Sequence, residues 1–178
     1  MGGSALAPSR AGAAVILSAN PIHDTGGGQR SAQLALELLD RDFDVLFVSH
    51  GKVTETVDLG MKFDHTRLTS VSLNSLAERD GSATVDRFLS HGRPLVITQV
   101  PVSVWEPVLA RARAAGAVTI YDCIDRWDSE LGQGWYKLDV EQRIAAASDI
   151  VVASAPELVH HLERLAERET SLLPNAYN

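Results

Sequence analysis

Residues 13–40 read AAVILSANPIHDTGGGQRSAQLALELLD and contain, in order, an apolar run, a glycine-rich loop and an amphipathic helix. Val15, Ile16 and Leu17 are consecutive apolar residues, which predicts a strand buried on both faces. From Gly28 to Asp40, alanine and leucine recur at helical spacing and predict a helix that packs against a sheet. A strand followed by such a helix is typical of the βαβ unit of a parallel sheet.

The same alternation of short apolar runs and helical patterns continues along the chain. We therefore predict an α/β domain over residues 13–178, a Rossmann-like open parallel sheet of about six or seven strands with helices on both faces. Residues 1–12 are expected to form a loose tail. The predicted strands are Ala13–Ser18, Asp44–Ser49, Arg67–Leu73, Pro94–Gln99, Val118–Asp122, Ile150–Ala153 and Ser171–Leu173, and the predicted helices are Gly28–Asp40, Ala83–Ser90, Ser103–Ala115, Tyr136–Ser148 and one that begins after Ser154.

Two of these helices begin with a pattern typical of a capping box. Ser103 with Glu106, and Ser154 with Glu157, have the spacing at which the serine caps the helix and the glutamate bonds back to it. We expect both serines to be N-caps.

Composition excludes several classes of protein. The 178 residues carry a formal charge of −7 without a cluster of lysine and arginine, which argues against a nucleic-acid partner. The single cysteine, Cys123, excludes an intramolecular disulfide and a zinc site made of several cysteines. No apolar run approaches the ~20 residues that span a bilayer, and residues 1–12 lack the order of a signal peptide. We expect a cytoplasmic protein, and Cys123 is expected to be an inert small residue.

The glycine triplet Gly26, Gly27 and Gly28 lies where backbone N–H groups and the positive end of a helix dipole can face an anion. Arg30, in the first helical turn, is a candidate second contact to a phosphate. The alternative is a flexible turn between strand and helix. A dinucleotide site is not predicted, because Ser31 occupies the last glycine position of the GxGxxG pattern and the second strand ends without an acidic residue.

Three segments follow the carboxyl ends of predicted strands, where open α/β sheets bind ligands. They are Asn20–Arg30, Gln99–Ser103 and Asp122–Glu130. If the first and fourth strands are neighbours, the first two segments flank the crevice at the point where strand order reverses. The D-x-D triplet Asp40, Arg41 and Asp42 lies at the opposite edge and is expected to be a solvated turn.

The third segment mixes carboxylates, an arginine and an indole, a composition that suits ligands rich in hydroxyl groups. The alternative is that its aspartates form turns, with Trp127 as a lid on the core. Asp122 is the member that we expect to be structural. His160 and His161 are expected to be solvated helix residues, whereas His23 contacts either a ligand or its own loop.

The chain resembles the amino-terminal half of GT-B glycosyltransferases, particularly the retaining group that includes many bacterial polysaccharide enzymes. The segments that carry the resemblance are ILSANPIHDTGGGQRSAQLALELL, VITQVP, TIYDCIDRW, VEQRIAAASDIVVASAPELVHHL and SLLPNAYN, in this order. Gln99 stands where many relatives have a histidine, and Ala176 replaces a common glycine. The resemblance implies a half that lacks a carboxyl-terminal domain and is inactive, or nearly so, by itself.

The resemblance also implies roles for individual residues. The loop that approaches the donor phosphates is Gly26, Gly27, Gly28, Gln29 and Arg30. Asp125 is the candidate catalytic residue, and the candidate acceptor contacts are His23, Gln99, Arg126, Trp127 and Glu130. Glu141 resembles a helix residue that packs beneath them. The implied partners are the chain's own carboxyl-terminal domain, a nucleotide sugar and a glycan or lipid-linked acceptor, with peripheral membrane attachment in the last case. No cofactor and no metal are expected.

Two alternatives remain open from the sequence. The first is one half of a sugar-nucleotide epimerase, and the second is a non-catalytic Rossmann-like binding module.

Overall fold

The computed structural model describes residues 12–24, 29–51, 63, 65–76 and 79–175. Its strands are β1 (Gly12–Ser18), β2 (Phe43–Ser49), β3 (Leu68–Ser72), β4 (Leu95–Thr98), β5 (Val118–Cys123), β6 (Ile150–Ala153) and β7 (Ser171–Leu172). Its α-helices are α1 (Gln29–Asp40), α2 (Leu73–Leu76), α3 (Arg79–Leu89), α4 (Glu106–Ala114), α5 (Leu138–Ala147) and α6 (Pro156–Ala166). Short 3₁₀ turns cover Ser103–Trp105 and Glu130–Gly132.

The strands form one parallel sheet in the order β3-β2-β1-β4-β5-β6-β7. Strand β1 lies between β2 and β4, with Ala14 opposite Val45 on one side and Leu95 on the other. The order reverses between β1 and β4, so the chain leaves these neighbours in opposite directions. This arrangement confirms the predicted α/β class, and β1 and β4 are the neighbours that the predicted crevice requires.

Helices cover both faces of the sheet, as predicted. On one face, Ala32, Ala35 and Leu39 of α1 pack against alternate residues of β1 and β2. On the other face, α3, α4, α5 and α6 pack around a larger core that contains Trp105 and Tyr121. Alternation along β1 divides its side chains between the two cores. No helix in the described ranges is both long and apolar enough to cross a membrane.

The two predicted capping boxes are wrong. Helix α6 has Ala155 as its N-cap, and the Ser154 hydroxyl instead donates to the carbonyl oxygen of Ile124 at 3.0 Å. Ser103 begins a 3₁₀ turn, and α4 starts three residues later without a side-chain cap. The nearby carbonyl of the loop after β5 competes with the helix for the Ser154 hydroxyl, which local spacing does not reveal.

The region before β4 contains more helix than predicted. Helix α3 begins at Arg79, four residues before the predicted start, and runs through Gly81, a residue that disfavours helix. The short α2 was not predicted. The triplet Asp40, Arg41 and Asp42 forms a turn at the amino-terminal edge, as expected, with Asp42 at φ 64° and paired with Arg67 at 2.6 Å.

Two polar contacts hold α5 and β6 in place. The Arg168 guanidinium donates to backbone carbonyls at the end of α5, including that of Ala146 at 3.4 Å, and so satisfies acceptors that the helix leaves open. The Asp149 carboxylate accepts from the backbone N–H and the hydroxyl of Thr119, at 2.8 and 2.9 Å. These bonds, above all the one from the N–H, lower the pKa of Asp149.

The Asp149 contact predicts a pH-dependent stability. Because its pKa is lower in the folded chain, the stabilisation is complete above the pKa of the unfolded chain, near 4, and is lost as the pH falls through the folded value. Asp149→Ala should lower the free energy of unfolding by about 1 kcal/mol at pH 7, since solvent weakens bonds to an exposed carboxylate. Urea unfolding at pH 7 and pH 3 measures this, and the difference should shrink at pH 3.

The matched control is Asp40→Ala, which removes an exposed aspartate at the end of α1. A loss for Asp149→Ala that is the same at both pH values, or no larger than that of the control, would contradict the prediction.

Candidate functional site

A chain of buried hydrogen bonds joins the strand ends at the crevice between β1 and β4. The Ser18 hydroxyl donates to that of Ser31 at 3.0 Å, and Ser31 donates in turn to the Gln99 side-chain oxygen. Gln99 Nε2 donates to Asp122 Oδ2 at 2.8 Å. Each of these four residues is at most 3% exposed. The network therefore ties β1, α1, β4 and β5 together beneath the crevice.

Arg30 completes this network from the first turn of α1. Its Nε and Nη2 bind the two oxygens of Asp122 at 3.0 and 2.8 Å, a bidentate pair. Its remaining Nη1 donates to Asn175 Oδ1 at 2.9 Å. The guanidinium is thus engaged within the chain, so the structural role predicted for Asp122 matches this geometry and the phosphate contact of Arg30 stays a prediction.

The Arg30–Asp122 pair, in which the carboxylate is buried and the guanidinium is partly buried, predicts a large effect on stability. Asp122→Ala should lower the free energy of unfolding by about 3 kcal/mol, because it leaves the guanidinium and the Gln99 amide without their shared acceptor. Asp128→Ala is the matched control, since Asp128 is also held bidentately by an arginine, Arg126, at 2.7 Å, but at the surface. The control should change little. Equal losses in denaturant unfolding would refute this account of the network.

The loop before α1 is described in part. His23 is exposed, whereas Asp24 is fully buried and its backbone N–H donates to the carbonyl of Pro21 at 2.9 Å. The predictions for Gly26, Gly27 and Gly28 lie outside the described residues, as does the side chain of Gln29. His23 is therefore placed at the carboxyl edge of the sheet and accessible.

Residues 124–137, which we call the rim loop, connect β5 to α5 at the same edge of the sheet. Asp125, Arg126 and Glu130 are exposed there. Although Asp125 is exposed as a residue, neighbouring atoms shield its carboxyl from part of the solvent, and this desolvation raises its pKa. The bond from Arg126 lowers the pKa of Asp128. The rim loop thus presents carboxylates and a guanidinium to solvent beyond the end of β5, where the residue pattern predicted them.

Trp127 does not share this exposure. Its side chain is 7% exposed and its ring lies 5.5 Å from that of Trp135, at an interplanar angle of 57°. Its indole N–H has no hydrogen-bond partner within the described part of the chain. Stacking on a sugar requires an exposed ring face, so this arrangement favours the alternative role of Trp127 as a lid on the core, and an acceptor contact would require the ring to move.

Gly132 allows the rim loop to fold over Trp127. A Cβ at this position would overlap the carbonyl oxygen of Trp127 and lie 2.7 Å from Cβ of Tyr136. Gly134 is the reverse case: its φ of 89° disfavours other residues, but no described atom lies within 4 Å of the place that a methyl group would take. Glycine is therefore required at position 132 because a side chain would not fit, and it is favoured at position 134 because of the backbone conformation.

This contrast predicts unequal effects of two alanine substitutions. Gly132→Ala should cost about 3 kcal/mol of unfolding free energy, because backbone must shift to admit the methyl group. Gly134→Ala should cost about 1 kcal/mol, the penalty of a left-handed conformation. Denaturant unfolding of both variants measures the difference. A milder effect at Gly132 than at Gly134 would show that the loop relaxes freely.

A second polar cluster lies beneath the rim loop, around the carboxylate of Glu141. The phenol of Tyr121 donates to its Oε1 at 2.6 Å, and the phenol of Tyr136 donates to its Oε2 at 2.8 Å. Glu141 is 1% exposed. Burial, together with the charge of Glu141, raises the pKa of Cys123 to about 12 and raises that of both tyrosines. Cys123 therefore stays a thiol, in keeping with the expected inertness.

The prediction that His161 is solvated is wrong. Its Nε2 lies 3.1 Å from Oε2 of Glu141 and its side chain is 14% exposed, whereas the neighbouring His160 is exposed as expected. The packing of α6 against α5 turns position 161, and not 160, toward the buried carboxylate. The only signal in the sequence was that His161 lies three and four residues from Leu158 and Leu165 on the apolar face of α6.

Two cavities lie away from the crevice. One of about 390 Å³ lies between α4 and α5, next to Glu106 and Arg143, which are paired at 2.9 Å. Another of about 320 Å³ lies at the amino-terminal edge, next to Asp44 and Arg67. Across the described ranges, no group of three or more His, Cys, Asp or Glu side chains is arranged to hold a metal ion.

Comparisons with known proteins do not assign this chain to a family. The chain matches no protein-family model, and no curated protein matches it significantly.

Proposed function

We propose that this chain is the acceptor-binding half of a GT-B glycosyltransferase, which transfers a sugar from a nucleotide-sugar donor to a glycan or glycoconjugate. The observation that carries the proposal is the convergence of the β1, β4 and β5 ends at one edge, with the rim loop's exposed carboxylates beside the crevice. The order of motifs along the sequence supports the same family.

The chemistry of the rim loop suits a carbohydrate acceptor. Asp125 and Glu130 can accept hydrogen bonds from sugar hydroxyls, and Arg126 can donate to ring or hydroxyl oxygens. Asp125 is the candidate for orienting the reacting hydroxyl, because its raised pKa makes the carboxylate a better proton acceptor than an ordinary aspartate.

Nicotinamide dinucleotide is the ligand that a Rossmann-like sheet first suggests, and the end of β2 argues against it. Dinucleotide sites use an acidic side chain there to bind the ribose hydroxyls. Here β2 ends at Ser49, followed by the exposed His50. The role proposed for this half is therefore to hold the acceptor, while the donor's nucleotide is bound mainly by a second domain.

Titration of the labelled chain by NMR tests the proposal. A panel of di- and trisaccharides should shift the amide signals of residues 125–131, with dissociation constants on the order of 1 mM. UDP-glucose should bind weakly and NAD should cause no saturable shift. No sugar transfer should be measurable with this chain alone.

Variants make the test specific to the rim loop. Asp125→Ala and Glu130→Ala should weaken saccharide binding, whereas Glu163→Ala, a change at an exposed position of α6, should not. Tight NAD binding, epimerisation of a nucleotide sugar without an acceptor, or saccharide shifts that survive both rim variants would each refute the proposal.

A further inference from the structure

Glu141 is buried, and its carboxylate binds Tyr136 of the rim loop, the loop that carries the candidate acceptor contacts. Three side chains from other parts of the chain contact its carboxylate: Tyr121 of β5, Tyr136 of the rim loop and His161 of α6. A core built only for stability has no need of a buried carboxylate, because apolar residues of similar size would fill the same space at less cost.

We infer that Glu141 is a positioning residue: acting through Tyr136, it fixes the rim loop in the geometry that presents Asp125, Arg126 and Glu130. The description of that loop as a ligand surface rests on the proposed function. The inference that Glu141 fixes the loop through Tyr136 rests only on the hydrogen bond between these two side chains and on the other contacts of Glu141.

The two ends of the rim loop are held differently. At its start, the Ile124 carbonyl accepts from the Ser154 hydroxyl at 3.0 Å, and the Asp125 carbonyl accepts from Cys123 Sγ at 3.4 Å. At its far end, Tyr136 reaches across to Glu141 of α5, at 2.8 Å. Between the ends, the bonds are local ones, such as that of the Ser129 hydroxyl to the Arg126 carbonyl. Trp127 packs into the core in the middle of the loop, and the bond of Tyr136 to Glu141 fixes the far end to α5.

A glutamate carboxylate suits the task of holding Tyr136 better than the neutral amide of glutamine would. Two phenols donate to its two oxygens, and the same Oε2 that binds Tyr136 also lies 3.1 Å from Nε2 of His161. An amide at this place would keep one acceptor oxygen and would turn an N–H₂ group toward the other donor. The raised pKa of Tyr136 keeps its hydroxyl protonated, so that it remains a donor to Glu141.

The experiment compares two conservative changes at the same carboxylate. Tyr136→Phe removes the bond from the rim loop, and Tyr121→Phe removes the bond from β5, which lies outside the loop. Amide hydrogen exchange, followed by mass spectrometry, reports on residues 125–135 and on the sheet separately. A hydrogen bond to a charged group implies that exchange in the rim loop should rise about tenfold or more in Tyr136→Phe.

In Tyr121→Phe the rim loop should exchange as in the unmodified chain, or should change only in proportion to the sheet. Equal, global increases in both variants would show that Glu141 is merely a core residue and would overturn the inference. An unchanged rim loop in Tyr136→Phe would do the same.

Saccharide titration of the same proteins separates this inference from the proposed function. If saccharides bind the unmodified chain, Tyr136→Phe should weaken binding at least about fivefold and Tyr121→Phe should not. If no saccharide binds but exchange rises only in Tyr136→Phe, the proposed function fails while the positioning of the loop stands. Binding that is equally strong in both variants, despite a loosened loop, would overturn the positioning role.

Discussion

The pairing of Arg30 with the buried carboxylate of Asp122 is the contact on which the carboxyl edge of this molecule depends. At the point where strand order reverses, α1 lies on one face of the sheet and α4 on the other, so neither helix covers the gap between them. Buried polar side chains line this gap and bind one another. The floor between β1 and β4 is therefore closed by hydrogen bonds between buried polar side chains, each of which has a partner.

This arrangement also explains how distant parts of the chain meet at one place. Arg30 and Asp122 are separated by 92 positions in sequence, and Asn175 joins the same guanidinium from the segment after β7. Because the bonds connect α1, β4, β5 and that segment, a displacement of one of these parts would break hydrogen bonds to the others. The rim loop begins directly after β5, the strand that carries Asp122, and its far end is bound to Glu141 through Tyr136.

Most of the fold could be predicted from the sequence, because periodicity reports directly on burial. All seven strands were predicted. The central ones, whose residues are covered on both faces, form unbroken apolar runs such as Val15 to Leu17, whereas the edge strands β3 and β7 are less buried. Helix starts were less predictable, as Ser154 shows, because a tertiary acceptor drew its hydroxyl away from the helix. The location of the crevice followed from topology alone. The contacts of neighbouring side chains could not be predicted in the same way. Those of His161 and Trp127 depend on which way a helix or a loop turns when it packs, and spacing in the sequence does not determine this.

The burial of Cys123 has a practical consequence. Cys123, the last residue of β5, is fully buried next to Glu141, and its raised pKa leaves very little thiolate at neutral pH. As the sequence holds no other cysteine, the native surface offers no reactive thiol. A cysteine introduced at an exposed position would therefore be labelled alone, so fluorophores or spin probes can be attached to the rim loop without altering the protein elsewhere.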